Sequence, residues 1–248
     1  MGDATTTRST LSIRDVTKSF GGLVAVNAMT FDLSNNEVLG LIGPNGSGKT
    51  TMMNLISGAF EPSGGQIVLE GEDISGLPAN DIARKGIART FQIVRMLPSL
   101  SVMENVAAGG VFGHTRRWGP ELVERARELL ARVGLVGVEN NPVSTLTYID
   151  QKRLELARAL ISEPKLLLLD EWLAGLNPTE LRTGISLIEE LRKEGRTIVI
   201  VEHVMDAIRS LCDRCVVMNS GIKIAEGTPA EVLADSEVIR AYLGDDHA

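Results

Sequence analysis

The feature that most constrains this chain is the octapeptide GPNGSGKT at Gly43–Thr50, set between an apolar run, EVLGLI, and a helical run, TMMNLISG. The spacing G-x-x-x-x-G-K-[ST] between a strand and a helix is that of a phosphate-binding loop. Gly43, Gly46 and Gly48 let successive backbone N–H groups turn inward, with Pro44, Asn45 and Ser47 completing the loop. Those amides and the positive end of the following helix form an anion cradle. Lys49 is expected to reach the outer phosphates of a nucleotide. The Thr50 hydroxyl is expected to hold Mg2+, with Thr51 beside it in the first helical turn.

The remaining apolar pattern fits the sheet that such a loop belongs to. Glu37–Gly43, Lys165–Asp170, Thr197–Val201 and Cys215–Met218 are short aliphatic runs without alternation, as expected of parallel strands buried on both faces. Helical patterns lie between them. In 151–161, Leu154, Ala157, Leu160 and Ile161 share an apolar face, and Lys152, Arg153, Glu155 and Arg158 are assigned to a polar one. Thr179–Glu194 is a second helix, stopped by Gly195. Strand–helix–strand alternation predicts a doubly wound α/β sheet.

The first forty residues read differently. Runs at 10–14, 18–20, 25–33 and 66–70, with turns at Gly21-Gly22, Asn35-Asn36 and Gly64-Gly65, predict an antiparallel sheet. Residues 96–162 carry helical signals only and are expected to form an insert. From Gly221 the chain predicts a short hairpin-like segment and two short helices.

The second chemical signal is KLLLLDE at Lys165–Glu171. Four leucines bury a strand and two carboxylates leave its end, pointing in different directions. Asp170 is expected to address Mg2+ through water, and Glu171 to act as general base or to orient the attacking water.

Composition narrows the classes. The chain has 248 residues, 44% of them hydrophobic, enough for a sizeable core, and a net charge of −7 that does not suit wrapping of nucleic acid. No apolar run approaches the roughly 20 residues that span a bilayer, and the N-terminus carries no signal region. MGDATT matches a loose myristoylation pattern with Thr6 at the polar place. Cys212 and Cys215 form a C-x-x-C spacing with no second ligand cluster, so they are assigned to packing rather than zinc. His114, in HTRRWGP, is expected in a solvated surface loop.

Further motifs, in order, resemble the ATP-binding cassette (ABC) family over nearly the whole chain. Phe20 precedes Gly21-Gly22, where that family places an aromatic to stack adenine. Gln92 lies in a segment similar to the family's Q-loop, Leu146–Leu160 resembles the signature and its helix, AGLNP at 174–178 the D-loop, and His203 the switch histidine. GIARTFQ, AGLNP, EHVMDAI and the terminal AEGTPAEVLADSEVIRAYLG resemble the ATPase subunits of branched-chain amino-acid uptake transporters. Lipopolysaccharide-export ATPases have a similar tail, and RTFQ favours the uptake group.

The resemblance implies a P-loop ATPase fold with an N-terminal antiparallel β subdomain and an inserted helical subdomain. Residues 1–248 would form one ABC domain, with 1–95 and 163–248 as the nucleotide-binding core and 96–162 as the helical signature subdomain. It implies ATP and Mg2+, with Thr50, Gln92 and Asp170 at the metal and Lys49, Gln92, Glu171 and His203 in catalysis. Thr147 and Ile149 would contact the nucleotide of a second ABC ATPase subunit in a head-to-tail pair, identical or different. Transmembrane permease subunits would be separate chains docking near Gln92, Val94, Met96 and Leu97, served by an external solute-binding protein. The chain would be peripheral, on the cytoplasmic face of the inner or plasma membrane, with no nucleic-acid partner. A soluble ABC ATPase acting on nucleic acid or ribosomes is the alternative. One cassette, no coiled coil and net acidity stand against it.

Two departures stand out. The signature reads LTYID where the family has LSGGQ, with Ile149 for the second glycine and Asp150 for the glutamine while Tyr148 suits the uptake subgroup, and Trp172 replaces the usual proline after Glu171. An anion and a β-branched side chain facing a partner's nucleotide predict weakened closure there. Either the partner is a different chain with an intact signature, or the change is tolerated.

Overall fold

The computed structural model describes residues 9–243; MGDATT and His247 lie outside them. The chain opens with strands β1 (Ser9–Phe20) and β2 (Leu23–Ser34), an antiparallel hairpin closed at Gly21-Gly22. The expected runs 10–14 and 18–20 are one strand, not two. The ladder shifts register between Ile13 and Val16, beside Asp15, which takes a left-handed φ of 50°.

Strand β3 (Val38–Ile42) is buried at every position and delivers the chain to helix α1 (Lys49–Ile56). Strands β4 (Gly64–Leu69) and β5 (Glu72–Asp73) then complete a four-stranded antiparallel sheet in the order β2-β1-β4-β5. Gly64-Gly65, expected as a turn, begins β4 instead. A Cβ on Gly65 would stand 2.3 Å from the Asp15 carbonyl oxygen, so glycine serves close approach opposite the bulge.

Helix α2 (Ala79–Lys85) and the short strand β6 (Ile87–Arg89) follow, neither signalled by the sequence pattern. Three helices come next: α3 (Val102–Phe112), α4 (Gly119–Arg132) and α5 (Tyr148–Leu160). A Ser101–Glu104 capping box starts α3, and the Thr147 hydroxyl accepts the Asp150 amide at the start of α5. Strand β7 (Leu166–Asp170) then pairs in parallel with β6, so the helical segment leaves and rejoins one edge of the sheet.

Helix α6 (Pro178–Lys193), begun by an Asn177–Glu180 capping box, leads to β8 (Thr197–Val201), α7 (Met205–Leu211), β9 (Arg214–Asn219) and β10 (Ile222–Gly227). Helices α8 (Pro229–Ala234) and α9 (Ser236–Leu243) end the described chain. The central sheet runs β10-β9-β3-β8-β7-β6, parallel except for β10.

Both faces of this sheet are covered, as the uninterrupted aliphatic runs predict. Leu166 and Leu168 join Leu39, Leu41 and Val199 in a core against β1, β2, β4 and α1. Leu167 and Leu169 face the other way, into a core shared with α3, α4, α5 and α6. Cys212 and Cys215 are free and buried, against Gly40 of β3, where a Cβ would lie 2.9 Å from Cys215 Sγ and 3.0 Å from Cys212 Sγ. They are packing groups, as expected.

Candidate active site

Parallel strands end at the same edge of a sheet, and loops leaving that edge meet. Here β3 ends just before Gly43, β6 before Gln92, β7 at Asp170 before Glu171, and β8 before Glu202-His203. Four motifs separated by up to 160 residues of sequence, from Gly43 to His203, are therefore neighbours because the sheet is parallel.

The phosphate loop needs glycine where it turns. Gly43 has φ 146°, and a Cβ there would be 2.0 Å from the Met218 carbonyl oxygen and 2.9 Å from Ser47 Oγ. Lys49, at the start of α1, is 6% exposed, and its Nζ donates to the carbonyls of Gly43 at 2.8 Å and Pro44 at 2.9 Å. Burial lowers its pKa, opposed by the carboxylates of Glu171 and Asp170. A cleft of about 640 Å³ opens over this loop, lined by Asn45–Thr51, Phe20, Gln92 and Glu171. Phe20 sits edge-on to Phe60 with centroids 5.2 Å apart, and Lys18 lies over its ring.

Glu171 adopts a left-handed φ of 48°, a conformation that costs a glutamate on the order of 1 kcal/mol or more. Its amide still continues the β7–β8 ladder to Val201 O at 2.9 Å, so the turn falls at the strand end. The carboxylate accepts from Gln92 Nε2 at 2.7 Å on one oxygen and meets His203 Nε2 at 2.9 Å on the other. The second is a hydrogen bond when the imidazole proton is on Nε2. Expected catalytic residues from three different loops are thus in direct contact.

Asp170 behaves differently from its neighbour. It is 1% exposed and its Oδ2 is paired with Arg89 Nη2 at 2.6 Å. Arg89 also donates to Asn54 Oδ1 and Ser57 Oγ, which ties β6, α1 and β7 together. Asp170 Oδ1 and Ser47 Oγ are buried without a protein partner. Two orphaned oxygens and a lysine folded onto carbonyls fit a site for a phosphate-bearing ligand with a divalent cation.

Thr147 and Ile149 are not brought to this cleft. They lie at the N-terminus of α5, where Thr147 Oγ1 donates to Asp150 Oδ2 at 2.7 Å and Arg153 pairs with Asp150 Oδ1 at 3.1 Å. Asp150 is therefore turned back onto its own helix with its charge partly compensated. Ile149 lines a small cavity with Arg153 and Trp172. Trp172 is 1% exposed and its indole Nε1 donates to Lys152 O at 3.1 Å, which settles it as a packed residue against α5.

The polar-face assignment on α5 needs correction. Lys152 and Glu155 are each 1% exposed, because α5 is enclosed between the sheet edge, α3 and the segment after β7. Burial lowers the pKa of Lys152 and raises that of Glu155. Glu202, also 1% exposed, accepts the Leu173 amide at 2.7 Å, and burial pushes its carboxyl up to about 7. The sequence reading gave Arg89, Lys152, Glu155 and Glu202 no role in the site. Arg89 lies in the RTFQ segment before Gln92, Glu202 directly precedes His203 just after β8, and Lys152 and Glu155 lie on the signature helix α5.

A groove on the far side of Arg89 is lined by Phe91, Arg95, Phe112, Arg158 and Ala83, while Val94, Met96 and Leu97 stand outside it. His114 is half-buried in a loop, with Nδ1 at 2.8 Å from Arg84 O. No helix among the described residues is long and apolar enough to cross a membrane.

Comparison with known proteins places this geometry in context. The ABC transporter family matches residues 26–174, and the branched-chain amino acid ATP-binding cassette transporter family matches residues 223–248. The high-affinity branched-chain amino acid transport ATP-binding protein LivG of Escherichia coli (strain K12) is 41% identical, covering 95% of this chain and 98% of that protein. The lipopolysaccharide export system ATP-binding protein LptB of Haemophilus influenzae is 34% identical, covering 96% and 98%. The ADP conformation of an ATP-binding cassette of an ABC transporter superposes with a TM-score of 0.86 at 29% identity, covering 96% of this chain and 99% of that one. A dimeric post-hydrolysis state of another cassette, bound to ADP and Pi, gives 0.80 at 25% identity, covering 88% and 98%.

Proposed function

The chain belongs to the ATP-binding cassette transporter family, and from that premise we propose that it is the ATP-hydrolysing subunit of an importer of branched-chain or related amino acids. The observation that carries the hydrolytic reading is the Glu171 carboxylate, held between Gln92 and His203 at the edge of the phosphate-loop cleft. Phe20 stacks the base, the amides of Gly43–Thr51 cradle the phosphates and Lys49 neutralises the outer ones. Mg2+, when bound, supplies charge neutralisation at the transferred group. Thr50, Gln92 and Asp170 would hold it, Asp170 through water. Glu171 orients the attacking water and accepts its proton. The water oxygen bonds to the γ-phosphorus, the bond to the β–γ bridging oxygen breaks, and ADP and phosphate result. The resemblance assigns His203 to the γ-phosphoryl oxygens, and its contact with Glu171 supports a part in the same step.

The cargo assignment rests on similarity to LivG and on the family match to the C-terminal 26 residues, 223–248. Lipopolysaccharide export is the weaker reading, since LptB is less similar than LivG. The partners are a second cassette subunit, permease chains seated in the groove lined by Phe91, Arg95 and Phe112, and an external solute-binding protein. The chain then sits on the cytoplasmic face of the membrane.

Lys49→Ala is expected to weaken Mg-ATP binding about ten- to hundredfold, the loss of a charge-assisted contact worth roughly 1.5–3 kcal/mol. Undiminished binding in a calorimetric titration defeats the assignment. Glu171→Gln keeps the shape and loses the base. It should retain ATP and lose most phosphate release, and normal turnover would move the base elsewhere.

A further inference from the structure

Gln92 and Glu171 touch, yet they sit on loops that leave two different strands, β6 and β7. One helix grips both loops. From α5, Lys152 Nζ donates to the carbonyls of Glu171 at 3.2 Å, Trp172 at 3.0 Å and Ala174 at 2.9 Å. One turn further on, Glu155 accepts the amides of Phe91 at 3.2 Å and Arg95 at 3.1 Å. The carbonyls begin at Glu171 itself, and the amides flank Gln92. A buried cation meets backbone oxygens and a buried anion meets backbone N–H groups, so each charge is matched to what its loop presents. The segment after β7 answers in kind: Trp172 Nε1 donates to Lys152 O, and Glu202 takes the remaining Leu173 amide.

Stability alone is a poor reason for this arrangement. Buried ionic groups are often outdone by apolar residues of similar volume, which need no desolvation. What the two charges add over apolar packing is direction: five hydrogen bonds that fix two loops against one rigid helix. We propose that Lys152 and Glu155 are positioning residues that set Gln92 against Glu171, so that the helix bearing Thr147 and Ile149 at its N-terminus governs the hydrolytic geometry of its own chain. A shift of α5 then moves both loops together. This inference rests on the hydrolytic reading of the site given above.

The test uses the full-length chain, with steady-state phosphate release over a range of ATP concentrations and MgADP affinity by calorimetry. Lys152→Met is expected to lower kcat about tenfold or more while leaving the MgADP dissociation constant within about twofold. Lys152→Arg keeps the donors and is expected to recover most of the rate. Glu155→Gln keeps the shape and one accepting oxygen; a smaller fall in kcat at unchanged affinity is expected, and it is the deciding variant if Lys152→Met does not fold. In a Glu171→Gln background, Lys152→Met should add no further loss, because it acts through Glu171. Unchanged kcat, parallel loss of kcat and MgADP affinity, or independent additive losses would each overturn the proposal. A parent chain that releases no phosphate refutes the hydrolytic reading itself, and the proposal with it, before any variant is compared.

Discussion

Glu202 gives a pH dependence that can be worked from its surroundings. Its carboxyl is 1% exposed; Oε1 accepts one amide, and Oε2 is buried without a partner. Burial therefore raises its pKa from 4.5 to about 7, with the Leu173 and His203 amides and the Lys152 cation pulling the other way and Glu171 adding to the rise. In the unfolded chain the proton leaves near the ordinary value; in the folded chain it stays to about 7. Between those values the folded state binds more protons. The stability that this group contributes is fully present below the unfolded pKa and is lost as pH rises through the folded one. From about pH 5 to about pH 8 the loss is about 2–3 kcal/mol, using 1.36 kcal/mol per unit. Glu202→Gln keeps the oxygen that accepts the Leu173 amide and removes the titration. Urea unfolding of both proteins across that range is the assay. The stability of Glu202→Gln relative to the parent is expected to grow with pH by about that amount. Parallel curves, or a gap that narrows as pH rises, would refute the reasoning.

Arg89→Met strands the Asp170 carboxylate in a buried site and is expected to cost about 3–5 kcal/mol in urea unfolding, most of it recovered by adding Asp170→Asn. A loss under about 1 kcal/mol would mean that the pair is solvated in solution. His203→Ala removes one of the two partners of Glu171 and is expected to lower phosphate release at least tenfold with ATP still bound. Unaltered release removes the imidazole from the mechanism. Ile149→Gly with Asp150→Gln should raise ATP-driven pairing, read by light scattering, and turnover with it, if the altered signature limits closure. Unchanged rates in an otherwise active homodimer would end the case for an unlike partner.

The sheet could be read from the sequence because its strands are buried on both faces and carry unbroken aliphatic runs, Leu166–Leu169 most plainly. The phosphate loop and Asp170-Glu171 could be read because each is a local pattern at a strand end. β6 could not: three residues, Ile87–Arg89, are too few to show a period, and their pairing with β7 is a tertiary fact. Residue type alone marks Lys152 and Glu155 as the polar positions of α5. Their burial depends on Trp172 and the loop amides arriving from elsewhere in the chain, which periodicity within one helix cannot register. Arg89 shows the same limit, since its partner is 81 residues away.

The two thiols sealed against Gly40 have a practical outcome for anyone tagging this molecule. Cys215 is fully covered and Cys212 is 6% exposed. The neighbouring Cys215 and burial push the Cys212 thiol up, and Cys215, which Cys212 shifts the other way, has no exposed surface for a reagent to reach. Maleimides and nitroxide reagents react with accessible thiolates, and the whole sequence contains only these two cysteines. The wild-type chain is thus a nearly blank background. A cysteine substituted at exposed Tyr148, within the signature, would take a fluorophore or spin label alone, and the separation of two such probes across a pair could be followed through a turnover cycle without first stripping out the native sulfurs.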